Sequence, residues 1–177
     1  RCPQHGTRIP THAHADLRDE LDGEPYSHAC AIARSLDEGA LAVHQVGIRA
    51  YCRQEIDLIN NDDRIHTWFA KDVMSPCTGA KAWAEWLESL TRIAGPVHLT
   101  IDIDGLDGYL VPATGTPVPG GLSFWHVVQT IEAVFANCEV VSADVNEIVS
   151  QGDTPLTEFT AAMIATKVAA AHIASLR

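Results

Sequence analysis

Apolar positions along this chain follow two rhythms. Short, nearly continuous apolar runs at Ala40 to Ile48, Ile65 to Phe69, Val97 to Asp104 and Glu139 to Ile148 predict strands. Longer segments repeat at helical spacing. Ala80 to Ile93 does so through Trp83, Trp86, Leu87 and Leu90, which places its tryptophans in the core. Ser123 is positioned to cap a helix reaching about Ala136, with Phe124, Val127, Val128, Ile131, Val134 and Phe135 on its buried side. Pro155 to Leu176 predicts a long alanine-rich helix with proline near its first turn. Arg1 to Pro10 reads as an irregular lead-in.

Strands alternating with helices, and near-continuous apolar strands such as Glu139-Val140-Val141, predict an α/β fold with a mostly parallel sheet covered on both faces. The expected architecture is a three-layer αβα sandwich. At 177 residues the chain suits one domain over 1–177, since domains run roughly 100–200 residues. Hydrophobic residues at 46% allow a sizeable core. No apolar stretch approaches the roughly 18 residues of a membrane helix, and no secretory signal is visible. A formal charge of −11, with twelve basic against twenty-three acidic residues and no basic cluster, argues against nucleic acid as a partner. Five cysteines, Cys2, Cys30, Cys52, Cys77 and Cys138, show no metal-binding spacing and are odd in number, so free thiols in the cytoplasm are expected. The chain opens on Arg1 rather than methionine, which suggests a fragment or processed product.

Candidate chemistry gathers in two places. Thr100-Ile101-Asp102-Ile103-Asp104 ends an apolar strand in paired carboxylates, which strand alternation would set on one face. Like charges so placed repel unless a cation lies between them. A rigid turn follows, in which Gly120 and Gly121 allow unusual backbone and Pro117 and Pro119 stiffen the approach. Upstream, His12, His14 and Asp16 occupy alternate positions and would share a face in a strand. Imidazole and carboxylate together suit manganese, iron or zinc, and the two clusters offer two His and three Asp donors. The plainer readings are a solvated acidic strand end and a chance histidine pair among nine histidines.

His12-Ala13-His14-Ala15-Asp16-Leu17-Arg18-Asp19 with Gly23-Glu24-Pro25-Tyr26-Ser27-His28 resembles the Asp-Ala-His-x-Asp block of the ureohydrolases, which include agmatinase, arginase and formimidoylglutamase. Asp102-Ile103-Asp104 with Thr114-Gly115-Thr116-Pro117 and Pro119-Gly120-Gly121 resembles that family's second metal block. Asp144-Val145-Asn146-Glu147 resembles its late Asp-Val-x-Glu block. The likeness runs from Thr11 to the last helix. It implies an arginase-like fold lacking its N-terminal part, whose strands would otherwise cover a sheet edge. It also implies a homo-oligomer and manganese, two ions in the family with one as the alternative for this chain, where His12 is a candidate terminal ligand that cannot bridge. By the same resemblance Asp102 binds or bridges metal, Asp104 and His14 ligate one ion, and Asp16 ligates the other. Glu147 would hold a guanidinium and His28 would shuttle protons to the leaving amine. Asp107 and Asp144 would orient ligands or turns, while His44, His66, His98, His126 and His172 match no family role.

Several departures stand beside these matches. The family's upstream Gly-Gly-Asp-His block has no counterpart before Thr11, and His12 replaces the aspartate that would bridge the two ions. Proline is usual where Gly108 stands and glycine where Ala113 stands. The segment around Leu17 to His28 resembles bacterial agmatinases more than arginases, so the expected activity is hydrolysis of agmatine to putrescine and urea. Arginine or another guanidino compound is the alternative substrate. A noncatalytic metal-binding homologue or a different αβα metallohydrolase are alternative classes.

Overall fold

The computed structural model describes residues 6–150 and 155–176. Five strands form one parallel sheet in the order β3-β2-β1-β4-β5, comprising β1 (Thr7–Thr11), β2 (Val43–Ile48), β3 (Ile65–Phe69), β4 (Pro96–Asp102) and β5 (Glu139–Asn146). The helices are α1 (Ala31–Asp37), α2 (Arg53–Asn61), α3 (Ala70–Val73), α4 (Gly79–Leu90), α5 (Phe124–Asn137) and α6 (Leu156–Ser175). The α/β class and the parallel sheet agree with expectation.

The two faces of the sheet are built differently. Val97, Leu99 and Ile101 of β4, with Ile9 and Val46, pack under Val73, Trp83, Trp86, Leu90, Val127, Ile131 and Ile164 in one large core. Trp86 is fully buried, and its Nε1 donates to Thr130 Oγ1 at 3.0 Å, so its polar atom enters the core partnered. On the opposite face Leu17, Ile32, Leu36, Val43, Ile48 and Ile65 form a smaller core. This second layer covers β2 and β3. Over β4 and β5 that face instead carries His98, Thr100 and Asp144, joined through His98 Nε2 to Asp144 Oδ2 at 2.9 Å and Thr100 Oγ1 to Asp144 Oδ1 at 2.6 Å. Alternation along β4 produces this polarity directly, since its odd residues are buried and its even ones half-buried.

Several boundaries move, and one assignment is overturned. The lead-in contains a strand, because Thr7–Thr11 is β1 at the centre of the sheet; residues 1–5, with Cys2, lie outside the described chain. Pro10 conceals it. Arg8 N and His12 N both donate toward β2, to Ala42 O just before it and to Val46 O within it, so Pro10 faces the same neighbour and leaves one gap in that ladder. β2 begins at Val43 rather than Ala40, and β5 ends at Asn146 rather than Ile148. Helix α5 begins as expected, with Ser123 Oγ accepting from His126 N. Helices α1, α2 and α3 were not anticipated.

β3 and β5 are the edge strands. Beside β5, a groove of about 510 Å³ is lined by Val140, Val141, Val145, Ala165 and Val168, and Val141 is 45% exposed. Helix α6 is apolar around most of its circumference, yet Phe159, Met163 and Ile173 face solvent. β5 therefore leaves an unpaired sheet edge among the described residues. None of the described helices is long and apolar enough to cross a membrane.

One half-buried titratable group reports on the sheet itself. Burial, the adjacent His66 and Arg92 together push the His44 imidazole down to about 4, and its Nδ1 has no hydrogen-bond partner. The unfolded chain takes this proton near the ordinary histidine value of about 6.5, while the folded chain refuses it until about 4. His44 therefore leaves stability intact above pH 6.5 and erodes it progressively as pH falls toward 4. Urea unfolding at a series of pH values should show His44→Gln gaining on the wild type over that window; parallel curves would refute it.

Candidate metal centre

The candidate ligands meet at the carboxyl ends of β1 and β4, neighbours in the sheet. They do so by a different local geometry from the one expected. β1 ends at Thr11, so His12, His14 and Asp16 lie on the following loop rather than along one strand face. β4 ends at Asp102, and Asp104 sits in a 3-10 turn over Ile103–Gly105. Convergence comes from two adjacent loops. His12 Nε2 lies 3.2 Å from Asp102 Oδ2 and 3.5 Å from Asp104 Oδ1, while its Nδ1 lies 3.4 Å from Asp16 Oδ2. His14 Nδ1 is 3.0 Å from Asp104 Oδ2.

Burial sets the electrostatics of this cluster. His12 and Asp104 are almost wholly enclosed, at 4% and 1% exposed. Enclosure alone would lower the His12 imidazole, but the hydrogen bond to Asp104 and the charges of Asp16, Asp104 and Asp102 raise it to about 9. Burial raises Asp16 to about 6 against the pull of His12, and raises Asp102 as well. Asp104 goes the other way. Hydrogen bonds from His12 and His14 overcome its burial and hold it well below the usual carboxylate range. Its Oδ1 also accepts from Ala13 N at 3.1 Å. Three carboxylates in so small and dry a volume demand positive charge, and a divalent cation supplies it compactly.

The scaffold around the cluster was not visible in the sequence. Arg49, just past β2, spreads its guanidinium over backbone carbonyls from three segments. Its Nη2 donates to Asp104 O at 2.8 Å, Leu106 O at 3.0 Å and Val118 O at 2.6 Å. Its Nε donates to Val118 O and Pro119 O, and its Nη1 to Gly47 O and Gly105 O. Glu55 of α2 makes a second tie. Its Oε1 accepts from Leu17 N at 3.1 Å, and its Oε2 from Cys52 N at 2.7 Å at the start of the helix. Two glycines press against His12. A Cβ on Gly105 would fall 2.9 Å from His12 N, and one on Gly47 would fall 3.1 Å from His12 O. Gly47 also has φ +94 at a bulge in β2, which sends Val46 and Ile48 into opposite cores. Only the Cys52-x-x-Glu55 spacing offered any sequence signal for these ties.

A cavity of about 470 Å³ opens over the cluster, lined by His12, His14, Asp16 and Asp104 together with His28, Thr116 and Glu147. His28 begins a 3-10 turn, His28–Cys30, and is exposed. Glu147 follows β5 with φ +62, and Asp16 has φ +51; both are left-handed conformations that non-glycine residues rarely adopt. Asp107 lies at a turn, where its Oδ2 accepts from Gly120 N and Gly121 N at 2.7 and 2.9 Å. Asp144 pairs with His98, Thr100 and Asn146 instead of facing this cavity.

An open parallel sheet with a buried His and Asp cluster at its carboxyl edge defines a class of α/β protein built to hold cations or small ligands at that edge. Comparison with known proteins then narrows the class. A family model described as the arginase family matches residues 8–171, and the chain belongs to that family. It is 32% identical over 175 residues to an N(1)-aminopropylagmatine ureohydrolase of Synechocystis sp., covering 95% of this chain and 54% of that protein. It is 34% identical over 152 residues to an agmatinase of Pyrococcus horikoshii, covering 86% and 50%. Among solved structures, an agmatine ureohydrolase of Thermoplasma volcanium superposes with a TM-score of 0.80 at 26% identity, covering 96% of this chain and 55% of that one. The chain thus spans about half the length of the curated relatives it matches.

The donor set fits a divalent cation. Two groups of three residues bring ligand atoms within 4.8 Å of one another, His12 with His14 and Asp104, and His12 with Asp16 and Asp102. Neutral imidazole and carboxylate are the donors that manganese, iron and zinc accept. Arg49 holds the Asp104 turn in place, so Arg49→Lys, which keeps the charge but loses the planar fork, should cost at least about 2 kcal/mol in urea unfolding. Hydrogen exchange should quicken at 104–106 and 118–121. An unchanged midpoint with unchanged exchange would remove Arg49 from this role.

Proposed function

We propose that this chain carries the hydrolytic site of a ureohydrolase, cleaving the guanidinium group of agmatine or an agmatine-like amine to urea and the free amine. The observation that carries the reading is the single cavity shared by His14, Asp16, Asp104, His28, Thr116 and Glu147. Relatives named agmatinase and N(1)-aminopropylagmatine ureohydrolase support the choice of a guanidino substrate. A divalent cation, manganese in our reading, held by the His and Asp cluster would act as Lewis acid and lower the proton affinity of water.

The chain's own residues account for the rest. Glu147 presents a carboxylate to the cavity, and a carboxylate accepts two parallel N–H groups from one guanidinium. Its backbone is left-handed just past the end of β5, and its Oε2 lies beside Gly115, at ordinary contact distance from where a Cβ would stand. Water adds to the guanidinium carbon, the bond from that carbon to the alkyl nitrogen breaks, and the leaving nitrogen takes a proton. His28 at the exposed rim passes that proton, a task suited to imidazole. The acidic cluster favours a cationic substrate over a neutral one.

Urea release from agmatine by the 177-residue chain in manganese tests the reading. Glu147→Gln keeps the shape but gives up the charged fork, worth roughly 3 kcal/mol, so kcat/KM should fall about 100-fold. His28→Asn should lower kcat while leaving KM near the wild-type value. The absence of urea release from agmatine and from aminopropylagmatine would leave a metal-binding homologue without turnover.

A further inference from the structure

We infer that this centre holds one divalent ion rather than two, and that Asp16 serves it from behind His12 instead of ligating it. The inference rests on reading the cluster as a metal site. Both candidate groups require His12, and they share no other residue. A neutral imidazole carries one free electron pair, on one ring nitrogen, while the other nitrogen carries the proton. A carboxylate in the same place would offer one oxygen to each of two ions. His12 has one donor to give, so the two groups compete for it.

The surroundings of the ring decide which nitrogen binds. Nε2 faces Asp102 at 3.2 Å and Asp104 at 3.5 Å, and His14 reaches the far oxygen of Asp104 at 3.0 Å. Nδ1 faces a single carboxylate, Asp16 at 3.4 Å. The donor-rich side is the Nε2 side. An ion there is held by His12 Nε2, His14 and Asp104, with Asp102 adjacent, and Nδ1–H donates to Asp16. That is the familiar carboxylate–histidine–metal arrangement, in which the outer carboxylate fixes the tautomer and orients the ring. Asp16 is then a positioning residue. Its backbone is left-handed, at φ +51, and its carboxylate stands on the Nδ1 side of the ring.

Manganese counted per chain tests this without reference to turnover. The protein is loaded with manganese(II) chloride, freed of excess by gel filtration and measured by plasma mass spectrometry, with circular dichroism confirming the fold of each variant. The wild type should hold one ion, His12→Asp should approach two, and Asp16→Asn should still hold one with weakened affinity. Asp104→Asn should hold none. The electron spin resonance of His12→Asp should show a coupled manganese pair absent from the wild type. Two ions in the wild type, no ion in the wild type, complete loss in a folded Asp16→Asn, or no rise in His12→Asp would each overturn the inference. The wild-type count alone suffices should a variant fail to fold. A failed urea assay leaves this count standing, and a failed count leaves the urea assay standing.

Discussion

Three carboxylates meeting inside a protein must be neutralised, and the architecture around Asp16, Asp102 and Asp104 is organised by that need. Asp104 is almost wholly enclosed, so its charge is met by Ala13 N and by two imidazoles. His12 stands among all three acids and meets each of them. Such a cluster tolerates little movement, because separating one acid from its partner strands a charge in a dry place. The loops after β1 and β4 are accordingly tied down by Glu55 and Arg49 and packed through Gly47 and Gly105.

How far this was legible from residues alone depended on where each partner lies in the chain. β4 and α5 announce themselves because their apolar periods are long and their caps local, as with Ser123 and His126. β1 hides because Arg8 and Pro10 break its pattern, though the sheet absorbs both. The candidate ligands were legible through block resemblance, but their shared strand face was not real, since both blocks pass their strand ends before the second ligand arrives. Arg49 was invisible because all its acceptors but Gly47 O lie 55 to 70 residues away, and all are backbone atoms. No side-chain pattern encodes a carbonyl.

The two sheet faces also divide the labour. One is closed by α3 to α6 over an aliphatic and tryptophan core that supplies rigidity. The other, over β4 and β5, is polar, and it borders a second cavity of about 610 Å³ that includes Asp16, Asp102, His28 and Glu147. The site therefore has a rigid floor on one side and polar, open ground on the other. The free edge of β5 lies on the same side of the sheet as that polar ground, while β3 is the edge at the other end.

The Arg49 clasp also shapes how the protein can change over generations. Every residue type carries a carbonyl, so a substitution at Val118 leaves the acceptor where it was and alters only what projects away from the clasp. Genetic fragility thus collects at Arg49 and in the packed turn it holds, where Gly105 has no room for a Cβ and Leu106 is buried in the core, while the Val118 side of the clasp is free to drift in sequence. A lineage can retune that loop without renegotiating the hold that keeps Asp104 in position.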